Sequence, residues 1–300
     1  MSQFTNMKIL RAEHLGMCFG VRDAIRLAVN KASESPITIL GELVHNESVL
    51  TSLRERGIDI EHKLESVATP TVMITAHGAS ESTLHRARSR GLNVLEATCP
   101  LVHFAHRVVA QLVREGYHPV IVGKRDHVEV RGLVADLTAY DVILSTDDVA
   151  QLKERPRFGV AAQTTQPIQK VRHLVSLIRE RFQASEVRFL DTVCQPTKQR
   201  QTAAIELAQN CDAVVVIGGS NSNNTKELVA TCERFCARVF HVQSAADLRP
   251  DWFEGCRTVG ITAGTSTPDY LIDEVEDRLR QLVAVWEAES EADALPSLAG

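Results

Sequence analysis

Several things are missing from this 300-residue chain, and each absence narrows its function. No apolar run reaches the length needed to cross a membrane. The opening stretch Met1 to Leu10 lacks the apolar core of a secretory signal. Basic residues are not in excess: 33 Lys and Arg face 38 Asp and Glu, a formal net charge of -5. A nucleic-acid binder usually carries a basic patch or stripe, so no nucleic-acid partner is expected, and no membrane partner either. The cysteines lack the two closely spaced pairs of a zinc ribbon and the clustered run of a ferredoxin. A cytoplasmic chain is the expectation, and there seven cysteines, an odd number, are thiols or metal ligands and not a disulfide framework.

What is present is organised around three of those cysteines. Asn93-Val94-Leu95-Glu96 reads as a short strand ending near Cys99, with Thr98 a suitable N-cap and Pro100 suited to the first turn of a helix over 101–113. Cys18 opens a helix over 21–32, and Cys194 follows the strand-like Phe189-Leu190 and precedes a helix over 198–208. A helix N-terminus favours negative charge, which predicts stabilised thiolates there. Cys18, Cys99 and Cys194 lie 81 and 95 residues apart (99−18, 194−99), and Gly41, Gly123 and Gly218 lie 82 and 95 apart (123−41, 218−123). Two markers with nearly one period imply a repeat. In each copy a short apolar strand runs into a polar loop twice, as in 37–46 and 72–80 of the first copy.

Apolar strands alternating with helices imply small, mostly parallel α/β sheets. Three similar modules are expected, over 1–98, 99–193 and 194–286, in a pseudo-threefold, three-lobed arrangement around a central site. Residues 287–300 form an acidic tail expected to be flexible. In parallel sheets ligands bind beyond the carboxyl ends of the strands, which is where all the marked loops fall.

A lone cysteine is most often a small buried hydrophobe, but three at equivalent repeat positions point to one shared centre. Three thiolates suit zinc with an open fourth position, or a [4Fe-4S] cluster with one iron free of cysteine. Cys232 and Cys236, four apart in a helical stretch, read as core. The loops also carry His45, His77, His127, Thr164, Thr165, Ser222, Asn224 and Ser266, hydrogen-bonding groups of the kind that cradle a phosphate or diphosphate. Glu129, an acid two residues from His127, is out of place among anion-binding donors unless it handles protons. A metal centre, a phosphate cradle and an acid make a consistent set, and if the centre is iron-sulfur it can also supply electrons, with reductive removal of water as the outcome.

These motifs closely resemble the 4-hydroxy-3-methylbut-2-enyl diphosphate reductase (LytB/IspH) family. The resemblance rests on Gly16-Met17-Cys18-Phe19-Gly20-Val21, Leu43-Val44-His45-Asn46, Ala76-His77-Gly78, Ala97-Thr98-Cys99-Pro100, Gln163-Thr164-Thr165, Asp191-Thr192-Val193-Cys194 and Thr262-Ala263-Gly264-Thr265-Ser266-Thr267. It implies one [4Fe-4S] cluster per chain on Cys18, Cys99 and Cys194, with one iron not ligated by cysteine. It implies that His45, His77, His127, Ser222, Asn223, Asn224 and Ser266 bind the diphosphate. Glu129 would be the proton donor, and Thr164 would position Glu129 and the substrate hydroxyl. The implied reaction converts the allylic alcohol diphosphate to isopentenyl and dimethylallyl diphosphates, the last step of the non-mevalonate isoprenoid pathway. Its electrons would come from a ferredoxin or flavodoxin with its reductase, in keeping with the missing nicotinamide fingerprint. A paralogous hydro-lyase or reductase with another phosphorylated substrate, and an iron-sulfur sensor, are the alternatives. The chain departs from the family pattern at Val128, usually proline, and at Asn223, Glu96 and Gln195-Pro196.

Overall fold

The computed structural model describes residues 7–294. In chain order, β1 (Lys8–Arg11) and α1 (Phe19–Ala32) lead into β2 (Ile37–Leu40), α2 (Glu47–Glu55), β3 (Asp59–Glu61), β4 (Thr71–Ile74), α3 (Glu81–Ser89) and β5 (Asn93–Glu96). There follow α4 (Pro100–Arg114), β6 (His118–Val122), α5 (Val128–Val134), β7 (Asp141–Ile143), α6 (Thr146–Gln151), β8 (Arg157–Ala162), α7 (Ile168–Arg181) and β9 (Glu186–Phe189). The last stretch holds α8 (Gln195–Gln209), β10 (Ala213–Ile217), α9 (Asn223–Cys232), β11 (Val239–Val242), β12 (Thr258–Ala263) and α10 (Asp269–Ala294).

The strands form three four-stranded sheets, ordered β3-β2-β4-β5, β7-β6-β8-β9 and β11-β10-β12-β1. All their pairings are parallel. The expected α/β repeat is thus present, and each sheet has the same order. The first and second strands of the repeat lie side by side, and the strand that leads to a cysteine flanks the second. The module boundaries differ from expectation in one respect. β1 lies outside the first sheet and completes the third, with Lys8 opposite Thr258 and Arg11 opposite Ile261. The third module supplies three strands of its own sheet, and β1 pairs along β12 as β5 pairs along β4 and β9 along β8.

The chain divides into two compact units, residues 18–198 and the remainder. Within the first, α1 packs on β2, and α4 packs on β6 and β8. The second buries both faces of its sheet. Val214 and Val216 of β10 face Ala203, Ala204 and Leu207 of α8, while Val215 and Ile217 face Ile272, Val275 and Leu279 of α10. Such double burial is why β10 reads as an unbroken apolar run.

The other four cysteines belong to this scaffold. Cys232 and Cys236 pack among Ala204, Leu207 and Leu228, and Cys256 packs beside Phe253. Cys232 ends α9, so Cys236 lies past the helix on which both were placed. The tail also differs from expectation. α10 runs on to Ala294, so 287–294 is helical backbone, and 295–300 lies outside the described residues.

Candidate active site

Each of the three marked cysteines sits where a strand gives way to a helix. Cys18 is the N-cap of α1, Cys99 is the N-cap of α4 with Pro100 in its first turn, and Cys194 immediately precedes α8. The cap expected at Thr98 is therefore one residue on, at the cysteine itself. All three lie in the 18–198 unit, close enough that charge on Cys18 raises the pKa of both Cys99 and Cys194. Gly20 makes room for them. A β-carbon on Gly20 would lie 2.7 Å from the Cys99 sulfur, inside van der Waals contact. The expected thiolates do not follow from the helix termini alone. Burial pushes Cys99 above its usual value despite hydrogen bonds from the Leu101 and Val102 backbone, and it pushes Cys194 up to about 11. Desolvation outweighs the helix terminus, so a cationic centre is needed to draw these thiols into their charged form.

Glu129 is 1% exposed and occupies the first turn of α5. Its two carboxylate oxygens accept from the Thr164 N–H at 2.7 Å and the Thr164 hydroxyl at 3.0 Å. Burial raises its pKa to about 7 against those two bonds, which pull it down. Its charge in turn raises Cys99 and Cys194, so the acid and the thiols share one neighbourhood. Val128 takes the first helical position, one that proline also favours. The His127 ring caps the helix by accepting the Glu129 N–H at 3.2 Å.

His45, His77 and His127 come from three different loops and meet. Their ring centroids are 5.2, 5.3 and 5.4 Å apart, and one nitrogen of each lies within 4.8 Å of the others. Burial depresses His77 well below the usual imidazole range and takes His127 to about 3, the neighbouring histidines adding to both shifts. His77 and His127 are therefore held neutral, chiefly by burial, and an anion would relieve both. Buried His45 Nε2 and His77 Nδ1 have no hydrogen-bond partner among the described residues. A metal suits the trio less well. His127 Nδ1 is occupied by the Glu129 N–H, so in the neutral ring Nε2 bears the proton and cannot also offer a lone pair.

The remaining expected donors belong to the other unit, around the start of α9. Ser222 caps that helix by accepting the Thr225 N–H, and Asn223 and Asn224 form its first turn. Asn223 Nδ2, Asn224 Nδ2 and Ser266 Oγ are buried without a hydrogen-bond partner among the described residues. Buried polar groups are nearly always paired, so three orphaned donors and hydroxyls at a helix N-terminus mark a place for an anion. Gly264 packs against this turn, where a β-carbon would fall 2.3 Å from Thr225 Oγ1. Of the departures from the family pattern, Glu96 is an exposed partner of Arg88 at 2.9 Å. Sequence reasoning missed Glu42, which lies against His45, and Thr197, whose hydroxyl is 3.0 Å from the Cys194 sulfur. Glu42 stands three residues before His45, a spacing that a tight loop can close.

Fold and site define an α/β protein of parallel sheets that gathers three thiols, three imidazoles and a buried acid. The LytB protein family matches residues 9–280, and the chain belongs to that family. The 4-hydroxy-3-methylbut-2-enyl diphosphate reductase of Trichlorobacter lovleyi is 40% identical over 92% of this chain and 99% of its own. The reductase of the same name from Aquifex aeolicus is 36% identical over 91% and 96%. A solved (E)-4-hydroxy-3-methyl-but-2-enyl diphosphate reductase, described as the terminal enzyme of the non-mevalonate pathway, is similar at a TM-score of 0.66 and 35% identity, covering 92% of this chain and 99% of that one. An E-1-hydroxy-2-methyl-but-2-enyl-4-diphosphate reductase from Plasmodium falciparum gives 0.84 and 26% over 91% and 87%. Among the described residues no helix is long and apolar enough to cross a membrane.

Proposed function

We propose that this chain is a 4-hydroxy-3-methylbut-2-enyl diphosphate reductase, the activity for which its relatives are named. The allylic C–O bond breaks, two electrons and two protons enter, water leaves, and isopentenyl and dimethylallyl diphosphates form. The observation that carries this reading is Glu129, an acid with its pKa raised to about 7, buried against Thr164 in the neighbourhood of Cys99 and Cys194.

Cys18, Cys99 and Cys194 would hold one [4Fe-4S] cluster, with one iron free of cysteine. When bound, the cluster supplies the electrons. One observation favours it over zinc. Around one zinc the thiolate sulfurs stand about 3.8 Å apart, given bonds of about 2.3 Å. Among the described residues the histidine trio is the set whose ligand atoms all fall within 4.8 Å, and the three cysteines are not such a set. A polynuclear centre accepts the wider spread. The electrons would reach it from a ferredoxin or flavodoxin with its reductase.

The remaining chemistry belongs to the protein. His45, His77 and His127 donate to the diphosphate, and Ser222, Asn223, Asn224 and Ser266 of the other unit offer anion-binding donors of their own. Glu129 delivers one proton to the reacting end of the substrate, and Thr164 orients Glu129 and the departing hydroxyl. Burial of Glu129 keeps bulk water from competing for that proton.

The test is anaerobic. The cluster is reconstituted, iron and sulfide are counted, and oxidation of reduced methyl viologen is followed on adding the substrate. Substrate-dependent oxidation that yields both five-carbon diphosphates is expected. A fully loaded cluster that leaves the viologen reduced overturns the proposal.

A further inference from the structure

The loop between β2 and α2 holds His45 from both sides. Leu43 and Val44 are buried, and the Asn46 side chain caps α2 by accepting the Val49 N–H at 3.3 Å. Within that loop Glu42 Oε2 lies 2.9 Å from His45 Nδ1. An ionised carboxylate only accepts, so Nδ1 of His45 carries a proton. The other nitrogen, Nε2, is buried and has no hydrogen-bond partner among the described residues. In the neutral ring that nitrogen offers a lone pair. A lone pair facing a phosphate oxygen makes no bond, since both are acceptors.

His127 is wired the opposite way. Its Nδ1 accepts the Glu129 N–H, which leaves Nε2 as a ready donor. Two imidazoles of one trio therefore differ in what they present to an anion. The charged and titratable groups around His45 are Glu42 from its own loop, His77 from the β4–α3 loop, and His127 from α5, itself beside Lys124 and Arg131.

We propose that Glu42 is a positioning residue for the diphosphate: its carboxylate fixes the His45 proton on Nδ1, so that diphosphate binding brings a second proton to His45 Nε2. The proposal rests on the reading of the trio as a diphosphate site. The proton comes from solvent or from the terminal phosphate, and it lies between Nε2 and a phosphate oxygen once the ligand is seated. No covalent bond to the ligand forms or breaks.

Glu42→Gln separates this role from a structural one. Glutamine keeps the size and can accept from Nδ1 or donate to it, so neutral His45 becomes free to present Nε2–H. The measurement is calorimetric titration of the cluster-loaded enzyme with methyl diphosphate at pH 8, in two buffers of different ionisation heat. At that pH the terminal phosphate of an alkyl diphosphate, which like a phosphate monoester loses its last proton at about pH 6, has little proton of its own to bring. Wild type is expected to take up about one proton more than Glu42→Gln. Affinity should fall on the order of tenfold in the variant, the difference between a hydrogen bond from a charged ring and one from a neutral ring. With substrate varied up to saturation the variant should raise KM more than it lowers kcat, while its cluster absorbance stays at the wild-type level.

Equal proton uptake and equal affinity in the two proteins overturn the inference. His45→Asn distinguishes its failure from that of the reading beneath it. Weakened diphosphate binding in His45→Asn with an unaltered Glu42→Gln sinks the role of Glu42 alone. Wild-type binding in His45→Asn sinks the diphosphate assignment of the trio, and the role of Glu42 with it.

Discussion

Thr164 grips Glu129 at both carboxylate oxygens, once with its backbone N–H and once with its hydroxyl. The grip is two-sided in chemistry too, because a hydroxyl can donate to a carboxylate and accept from a carboxylic acid. One residue thus serves the acid before and after it gives up its proton.

Glu129→Gln should lower turnover by at least about a hundredfold, the usual share of a placed general acid. Iron content and inorganic diphosphate affinity should not change. In wild type the protonated form is the donor, and burial holds the pKa near 7. The value of kcat should therefore be flat on the acid side and fall as pH rises above about 7. A Gln variant that turns over at the wild-type rate would remove Glu129 from the mechanism.

The same shift bears on stability, with a definite sign. The folded pKa of Glu129, about 7, lies above its ordinary value of 4.5. Its contribution is fully present below pH 4.5 and is lost as pH rises through 7. Glu129→Gln should therefore melt higher than wild type at pH 8 and no higher at pH 4. Parallel thermal melts at the two pH values are the check.

Thr164→Ser should keep most activity, and Thr164→Val should not. Valine preserves shape and the backbone N–H bond but removes the hydroxyl from a buried carboxylate, at a cost of about 1–3 kcal/mol. The pH at which kcat begins to fall should rise in the valine variant, because the hydroxyl is one of the two bonds that hold the Glu129 pKa down. A pH–rate profile identical to wild type in Thr164→Val would show that the hydroxyl plays no part.

The histidine trio predicts a pH effect of opposite sign. His77 and His127 are both depressed, the latter to about 3 against an ordinary 6.5. A depressed group contributes stability that is present above pH 6.5 and is lost as pH falls toward 3. Between pH 6.5 and 5 the loss from His127 is up to about 2 kcal/mol, and His77 adds to it in the same direction. Without ligand, the melting temperature should drop over that interval, and His77→Gln should flatten the drop. Inorganic diphosphate should restore most of the loss, since an anion favours the charged rings. Melts that stay level from pH 7 to 5 in the absence of diphosphate would mean that His77 and His127 are not held neutral.

The parts of this site that could be read in advance are those that repeat. Cys18, Cys99 and Cys194 announce themselves because a helix follows each at one period, and the loops after β2, β6 and β10 share that period. β1 could not be placed so easily. Its partner β12 lies about 250 residues later, and nothing local in Lys8–Arg11 distinguishes the first sheet from the third. Glu42 was invisible for a different reason. Its role depends on a loop that turns its carboxylate onto a ring three residues on, and that turn is set by the burial of Leu43 and Val44. The raised pKa of Cys99 and Cys194 was also out of reach, since a helix N-terminus alone predicts charge where desolvation decides otherwise.

Gly20→Ala tests the thiol cradle without touching a thiol. The added carbon would fall 2.7 Å from the Cys99 sulfur and 3.1 Å from its β-carbon, so Cys99 or the start of α1 must give way. Alanine is otherwise welcome in a helix, where it is favoured over glycine by about 1 kcal/mol. The variant should therefore fold and melt near wild type in the iron-free form while binding less iron and sulfide on reconstitution. Cys18→Ser, Cys99→Ser and Cys194→Ser should each lose most of the iron, and Cys232→Ser, in the core beside Ala204, should keep it. If Gly20→Ala and the three serine variants all load iron as wild type does, the cluster is not on these cysteines. If only Gly20→Ala loads normally, the ligands stand and the close approach of Gly20 is relieved by a small shift of α1.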